Sequence, residues 1–161
     1  MSLPEDGNPP PPASALPEYC CVILRDAAGD YCFETRPATA RLAAGRATCF
    51  GGARQDQETP EECLRRELRE ELGIELEALG YCLRLVSGPR LIAWFYTATC
   101  PAESTLSHRE PGHGVVTVTK QQLTETLQAS IPLAGEAQIS PWHVAALRAW
   151  LAGQPVAEVA G

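Results

Sequence analysis

Residues 52–74 read GARQDQETPEECLRRELREELGI. The second half of this stretch carries every local signal of a helix. Thr59 suits the N-cap, where its hydroxyl accepts an amide of the first turn. Pro60 fits the first helical position, and Glu62 completes a Thr-x-x-Glu capping box. The helix is expected to run through Leu72 and stop at Gly73, because glycine takes the left-handed turn that closes a helix. Leu64, Leu68 and Leu72 recur every four residues and form a stripe to be buried. At about 100° per residue, Glu67 and Glu71 fall one turn apart on one face, with Glu70 beside them. Burying the neighbouring leucines brings these glutamates to a rim instead of open solvent. Three like charges so placed repel one another and weaken the helix. Divalent cations resolve the conflict, since hard oxygen ligands suit magnesium. The competing reading is a solvated acidic face with Arg65, Arg66 and Arg69 as partners one turn away. The glycine loop ahead of the helix and Glu58 weigh against it.

Outward from this helix, strands and helices interleave. Residues 19–25 (YCCVILR) form a dense apolar run short enough for a buried strand. A turn at 26–30 (DAAGD) leads to a second strand at 31–36 (YCFETR), so the pair reads as a hairpin ended by Pro37. Another short strand is expected within 41–50, leading into Gly51 and Gly52. After the helix, 74–87 and 91–100 read as two strands around Gly88, Pro89 and Arg90. A polar loop at 101–113 precedes a strand at 115–119 (VVTVT). Helices are expected at 119–127 and 140–151, the second with Ser140 as cap and Pro141 at its first position. No regular βαβ spacing or internal repeat is visible, so the fold class is α+β, with a mixed sheet flanked by helices. The domain is expected to span 18–153. Residues 1–17 contain four consecutive prolines, Pro9 to Pro12, and read as a disordered extended segment. Residues 154–161 read as a frayed tail.

The chain has 161 residues, 45% of them hydrophobic and 20% charged, which suits one ordinary globular domain. No apolar run approaches the ~20 residues needed to span a bilayer, and the start lacks the pattern of a signal peptide. These features point away from a membrane. A formal net charge of −7 argues against a nucleic-acid polymer as partner, which would need a basic face. The seven cysteines are odd in number and contain no Cys-x-x-Cys pair. They read as small apolar core residues in a reducing compartment, so a cytoplasmic location is expected.

The segment fits the pattern Gly-x5-Glu-x7-Arg-Glu-U-x-Glu-Glu-x-Gly-U, with U a bulky aliphatic residue, at Gly52, Glu58, Arg66, Glu67, Leu68, Glu70, Glu71, Gly73 and Ile74. Seven fixed residues at typical usage make a chance match rarer than roughly one in 10⁸ windows. The chain thus resembles the Nudix hydrolases. Members often carry proline just before the paired glycines, where this chain has Phe50, a departure that bears on the neighbouring loop. The resemblance implies an α/β/α sandwich with the pattern on a loop–helix–loop. It implies a metal group of the Gly52 carbonyl, Glu67, Glu70 and Glu71. Arg66 would orient the glutamates through Glu58 and Glu70, and Gly73 would let the chain turn. The cofactor implied is Mg2+, with Mn2+ as a substitute.

The reaction implied is metal-assisted attack of water on a phosphorus of a diphosphate bridge, in a nucleoside diphosphate linked to another moiety. Glu67 is the first choice for general base and Glu70 the next, with Glu110 on the later loop as an outside candidate. Arg36 and Glu110 are the candidate substrate contacts. Trp94 and Tyr96 alternate along a strand and fit either base stacking or core packing. Trp142 fits a core or an interface, and His108 and His113 fit either phosphate contact or polar surface. Two other classes remain open: a Nudix-fold module that binds a nucleotide without turnover, and a Nudix-fold isomerase. Both usually depart from the pattern that this chain keeps. Family members are often dimers, so a homodimer is admitted.

Overall fold

The computed structural model describes residues 16–160, so residues 1–15 of the expected disordered segment lie outside the described residues. Eight strands form one mixed sheet: β1 (Tyr19–Arg25), β2 (Tyr31–Thr35), β3 (Ala47–Thr48), β4 (Phe50–Ala53), β5 (Gly80–Ser87), β6 (Arg90–Thr99), β7 (Gly114–Val118) and β8 (Val156–Glu158). Three helices flank it: α1 (Pro60–Leu72), α2 (Lys120–Ala129) and α3 (Pro141–Leu151). The main path runs β3-β2-β1-β6-β5-β8, with β4 also on β1 and β7 also on β2. Pairings β1–β6 and β5–β8 are parallel and the others antiparallel.

The apolar run of β1 is explained by burial on both faces. Cys20, Val22 and Leu24 pack with Cys63, Leu64, Leu68 and Leu72 of α1. Cys21 and Ile23 face the opposite way, with Leu123 and Leu127 of α2 and Leu147 and Trp150 of α3. One helix covers one face and two cover the other, which makes the α/β/α sandwich. Among the described residues no helix is long and apolar enough to cross a membrane.

Along one edge, β1 serves two partners. Its end pairs with β2 (Leu24 with Cys32) and its beginning with β4 (Cys20 with Gly52, Val22 with Phe50). The sheet therefore splays where β2 and β4 part, and the chain leaving β4 is delivered to the start of α1. Gly51 makes this possible. Its φ is 143°, and a side chain there would run into the backbone of Cys20 and Cys21.

Three expectations are corrected. Residues 74–79 are not strand. Ile74 and Leu76 turn inward and are buried, while the Arg65 guanidinium donates to the carbonyls of Leu76 and Glu77. Those carbonyls are satisfied by a side chain, so no ladder is needed until Gly80. The single short strand expected within 41–50 is divided between β3 and the start of β4. The tail is not frayed: β8 pairs with β5, Ala157 is buried, and Val159 donates to the Val86 carbonyl. Without β8, β5 would expose an unpaired edge.

Candidate active site

The capping box at the head of α1 is complete. The Glu62 amide donates to Thr59 Oγ1 at 3.1 Å, and the Thr59 amide donates to Glu62 Oε1 at 2.9 Å. At the other end Gly73 closes the helix in the left-handed region, with φ 68°, and its amide donates to the Arg69 carbonyl. The Arg109 guanidinium occupies the space that a side chain at Gly73 would fill. The buried leucine stripe fixes the helix's rotation, and that rotation sorts the glutamates by depth. The Glu70 side chain is 57% exposed, Glu67 16% and Glu71 only 4%. The three therefore do not share one rim, as the spacing suggested: Glu71 lies inside, Glu67 at the lip and Glu70 outside.

Arg66 organises this arc. Its guanidinium holds both oxygens of Glu58 with two nitrogens of one edge, Nε and Nη2, at 2.6 and 2.9 Å, and through Nη1 also donates to Glu67 Oε1 at 2.9 Å and Glu70 Oε2 at 3.3 Å. A further bond to the Ala53 carbonyl ties it to the glycine loop. The predicted pairs with Glu58 and Glu70 are both present, and Glu67 is added. The hydrogen bond from Arg66 pulls the Glu58 carboxyl down to about 2. Gly52 lies close against the helix. A Cβ there would sit 2.5 Å from the Glu67 carboxylate, so only a glycine lets this backbone and that carboxylate approach so closely.

Glu71 meets two residues whose importance the sequence did not announce. Glu34, on β2, is 1% exposed, and His108, from the loop between β6 and β7, has a side chain 1% exposed. His108 Nε2 lies 2.5 Å from Glu34 Oε2 and 4.0 Å from Glu71 Oε2. One ligand atom from each of Glu34, Glu71 and His108 lies within 4.8 Å of the others. Burial, then the hydrogen bond with Glu34, pushes the Glu71 carboxyl up to about 11. Burial also acts to raise Glu34, but hydrogen bonds from Glu71 and His108 and the charge of Arg36 outweigh it and hold Glu34 below its ordinary value. Without a cation, two buried carboxylates this close repel one another, which favours one proton held between Glu34 and Glu71. Glu71 Oε1 is buried with no hydrogen-bond partner. A buried acceptor left unsatisfied is costly, so this oxygen points to an absent ligand. Burial raises Glu67 as well.

The remaining candidates fall on either side of this centre. Arg36 is engaged with Glu34 Oε1 at 2.8 Å and with the Leu42 carbonyl, its side chain a quarter exposed. Glu110 is 54% exposed and 3.6 Å from His113 Nε2, and its charge raises both Glu67 and Glu71. Trp94 and Tyr96 are buried against Tyr81, which makes them core and not a stacking platform. Trp142 is half-buried and carries the Arg90 guanidinium over its ring. All seven cysteines are buried and none forms a disulfide, as small core residues should be. A carboxylate in the middle of a strand buried on both sides was a signal for Glu34. Nothing local singled out His108, whose neighbours are those of any polar loop.

Comparison with known proteins agrees with this architecture. A profile of the NUDIX domain matches residues 17–142. Among solved structures, the protein DR0079 of Deinococcus radiodurans superposes with a TM-score of 0.58 at 26% identity, covering 81% of this chain and 80% of that one. A MutT protein from Methanosarcina mazei gives 0.56 at 18% identity over 83% and 91% of the two chains. The E. coli ORF135 protein gives 0.54 at 24% identity over 88% and 94%. No curated protein matches the chain by sequence.

Proposed function

The chain belongs to the Nudix family of hydrolases, and from that premise we propose that it is a magnesium-dependent pyrophosphohydrolase. Its substrate is a small molecule, a nucleoside diphosphate linked to another moiety, cut by water at the phosphoanhydride bridge. The observation that carries this reading is Glu71 Oε1. It is a buried, unpartnered carboxylate oxygen on the helix face that also carries Glu67, beside the Gly52 loop. Oxygens of this kind suit a hard divalent cation, and the Gly52 carbonyl, Glu67, Glu70 and Glu71 would hold it, with Mn2+ as a substitute for Mg2+. When bound, such an ion neutralises phosphate oxygens and lowers the pKa of water.

The rest falls to the chain. Arg66 keeps Glu67 and Glu70 in place while Glu58 fixes Arg66 from behind. Glu67 is the first choice of proton acceptor from water: partial burial raises its carboxyl, the direction a general base needs. Glu70 is the next choice and Glu110 the outside one. Arg36 and Glu110 flank the centre and are assigned to contacts with the substrate. The formal net charge of −7 disfavours nucleic-acid polymers. A cytoplasmic location and a homodimer accord with this reading.

A panel of dinucleoside polyphosphates, nucleotide sugars, ADP-ribose and nucleoside triphosphates, incubated with Mg2+, tests it. Release of nucleoside monophosphate or phosphate by the intact protein, and not by Glu71→Gln, supports the proposal. Binding across the panel without turnover by the intact protein overturns it in favour of a nucleotide-binding module.

A further inference from the structure

The loop that carries Glu110 is polar, yet one of its side chains is sealed inside the protein. His108 uses both ring nitrogens. The Glu110 amide donates to Nδ1 at 3.0 Å. An amide can only donate, so Nδ1 carries no proton, and the ring proton sits on Nε2. Nε2 in turn faces Glu34 Oε2 at 2.5 Å. The backbone of Glu110 thus sets the tautomer, and the tautomer sets the bond to Glu34. Glu34 is itself immobilised: its other oxygen takes bonds from Arg36 at 2.8 Å and from the Thr48 hydroxyl at 3.3 Å.

The next residue adds a second attachment. The Arg109 amide donates to the Glu71 carbonyl at 2.8 Å, and its guanidinium lies over Gly73 at the end of α1. Beyond Glu110, the His113 amide returns to the Glu110 carbonyl at 3.2 Å and closes the turn. Glu110 therefore stands on a turn clamped on both sides, and its charge is felt by Glu67 and Glu71.

We propose that His108 is a positioning residue that holds Glu110 against the glutamates of α1, with Glu34 as its buried anchor. This rests on the hydrolase reading above for what Glu110 does, but not for how it is held. His108 is not a metal ligand in this arrangement. Both nitrogens are committed, and the one nearer Glu71 carries the proton.

Two substitutions take the clamp apart. In His108→Asn the side-chain oxygen occupies the place of Nδ1 and keeps an acceptor for the Glu110 amide. His108→Gln instead reaches Glu34 with a donor and gives up that acceptor. Amide exchange followed by NMR reads the first link without any need for turnover. The Glu110 amide should exchange about tenfold faster or more in His108→Gln and stay protected in His108→Asn. With a hydrolysable substrate, His108→Gln should lower kcat about tenfold or more with KM little changed, as misplacement of a reacting group does. Combined with Glu110→Gln, it should add no further loss, because the two act in series. Mn2+ affinity, followed by electron paramagnetic resonance, should stay within about threefold of wild type in His108→Gln, which keeps the donor towards Glu34, whereas His108→Asn gives up that bond beside Glu71 and should lose about tenfold or more.

Unchanged exchange at Glu110 in His108→Gln overturns the proposal, as do kcat losses that multiply in the double variant. A tenfold or greater loss of Mn2+ affinity in His108→Gln, which keeps the donor towards Glu34, overturns it in favour of a ligand role. If the wild-type protein turns nothing over, the hydrolase reading falls alone, and the exchange data still decide whether the clamp exists.

Discussion

Replacing Glu71 by glutamine should remove a pH-dependent instability from the metal-free protein. Glu71 is 3% exposed, and its carboxyl is pushed up to about 11 by burial and then by Glu34. A carboxyl raised in the folded state contributes its full stability below the unfolded value, near 4.5. That contribution is lost progressively as pH rises towards the folded value. Between pH 7 and 8.5 the unfolded chain has released this proton and the folded chain still holds it. One proton gives a limiting slope of about 1.4 kcal/mol per pH unit, so wild type loses up to about 2 kcal/mol over that interval. At about 2–4 °C per kcal/mol for a chain of this size, Tm falls by up to about 4–8 °C. The hydrogen bond with Cys100 holds the Cys32 thiol below its ordinary value, which opposes this slope as pH approaches 9. The contribution of Glu71 is therefore read as the difference between wild type and Glu71→Gln. The following groups leave the window quiet. Glu58, held at about 2, loses its contribution only as pH falls below the ordinary carboxylate range. His143, lowered to about 4 by burial, matters only below its unfolded value near 6.5. Cys49, raised by burial, acts only above pH 9. Glutamine matches the protonated carboxyl in shape and charge, so Glu71→Gln should flatten the slope. Urea or thermal unfolding in EDTA across this range is the assay, repeated with excess Mg2+, which should also flatten the wild-type curve. A variant with the same slope as wild type in EDTA refutes the reasoning.

Other outcomes follow from the same geometry. Gly52→Ala places a Cβ 2.5 Å from the Glu67 carboxylate; turnover should fall about 100-fold or more while circular dichroism stays native, since a small displacement at a reacting centre is costly. Arg66→Lys loses the two-nitrogen grip on Glu58 and the bonds to Glu67 and Glu70; kcat should drop at least about tenfold, and titration of the Glu58 carboxyl by NMR should move up from about 2 towards the ordinary range. Thr59→Ala removes the side chain that accepts the Glu62 amide, and chemical denaturation should show a loss of about 1 kcal/mol with activity at low temperature retained.

What could be read from the sequence was local. The cap at Thr59, the stripe of Leu64, Leu68 and Leu72, and the stop at Gly73 are written within one short stretch, residues 59–73, and each follows from helix geometry alone. The grip of Arg66 on Glu58 and Glu70 was expected only through the resemblance to the Nudix hydrolases, since Glu58 lies outside the helix. What escaped depended on distant partners. Residues 74–79 are apolar enough for a strand, but Arg65 takes their carbonyls. Val156 to Glu158 is too short to announce itself and pairs only because β5 offers an open edge. Glu34 and His108 are 74 positions apart and meet only because β2 and the loop before β7 converge over α1. Even the depth of Glu71 was hidden, because helical spacing gives direction around an axis and not distance beneath a surface.

The central claim is that carboxylates of α1 direct water onto a phosphorus atom. Turnover of a nucleoside diphosphate derivative in ¹⁸O-enriched water with Mg2+, read by mass spectrometry of the products, tests it most directly. The account predicts one ¹⁸O on a phosphate of one product per bond cleaved, and no product at all in EDTA or with Glu71→Gln. Products free of label, or equal turnover in EDTA, would contradict it.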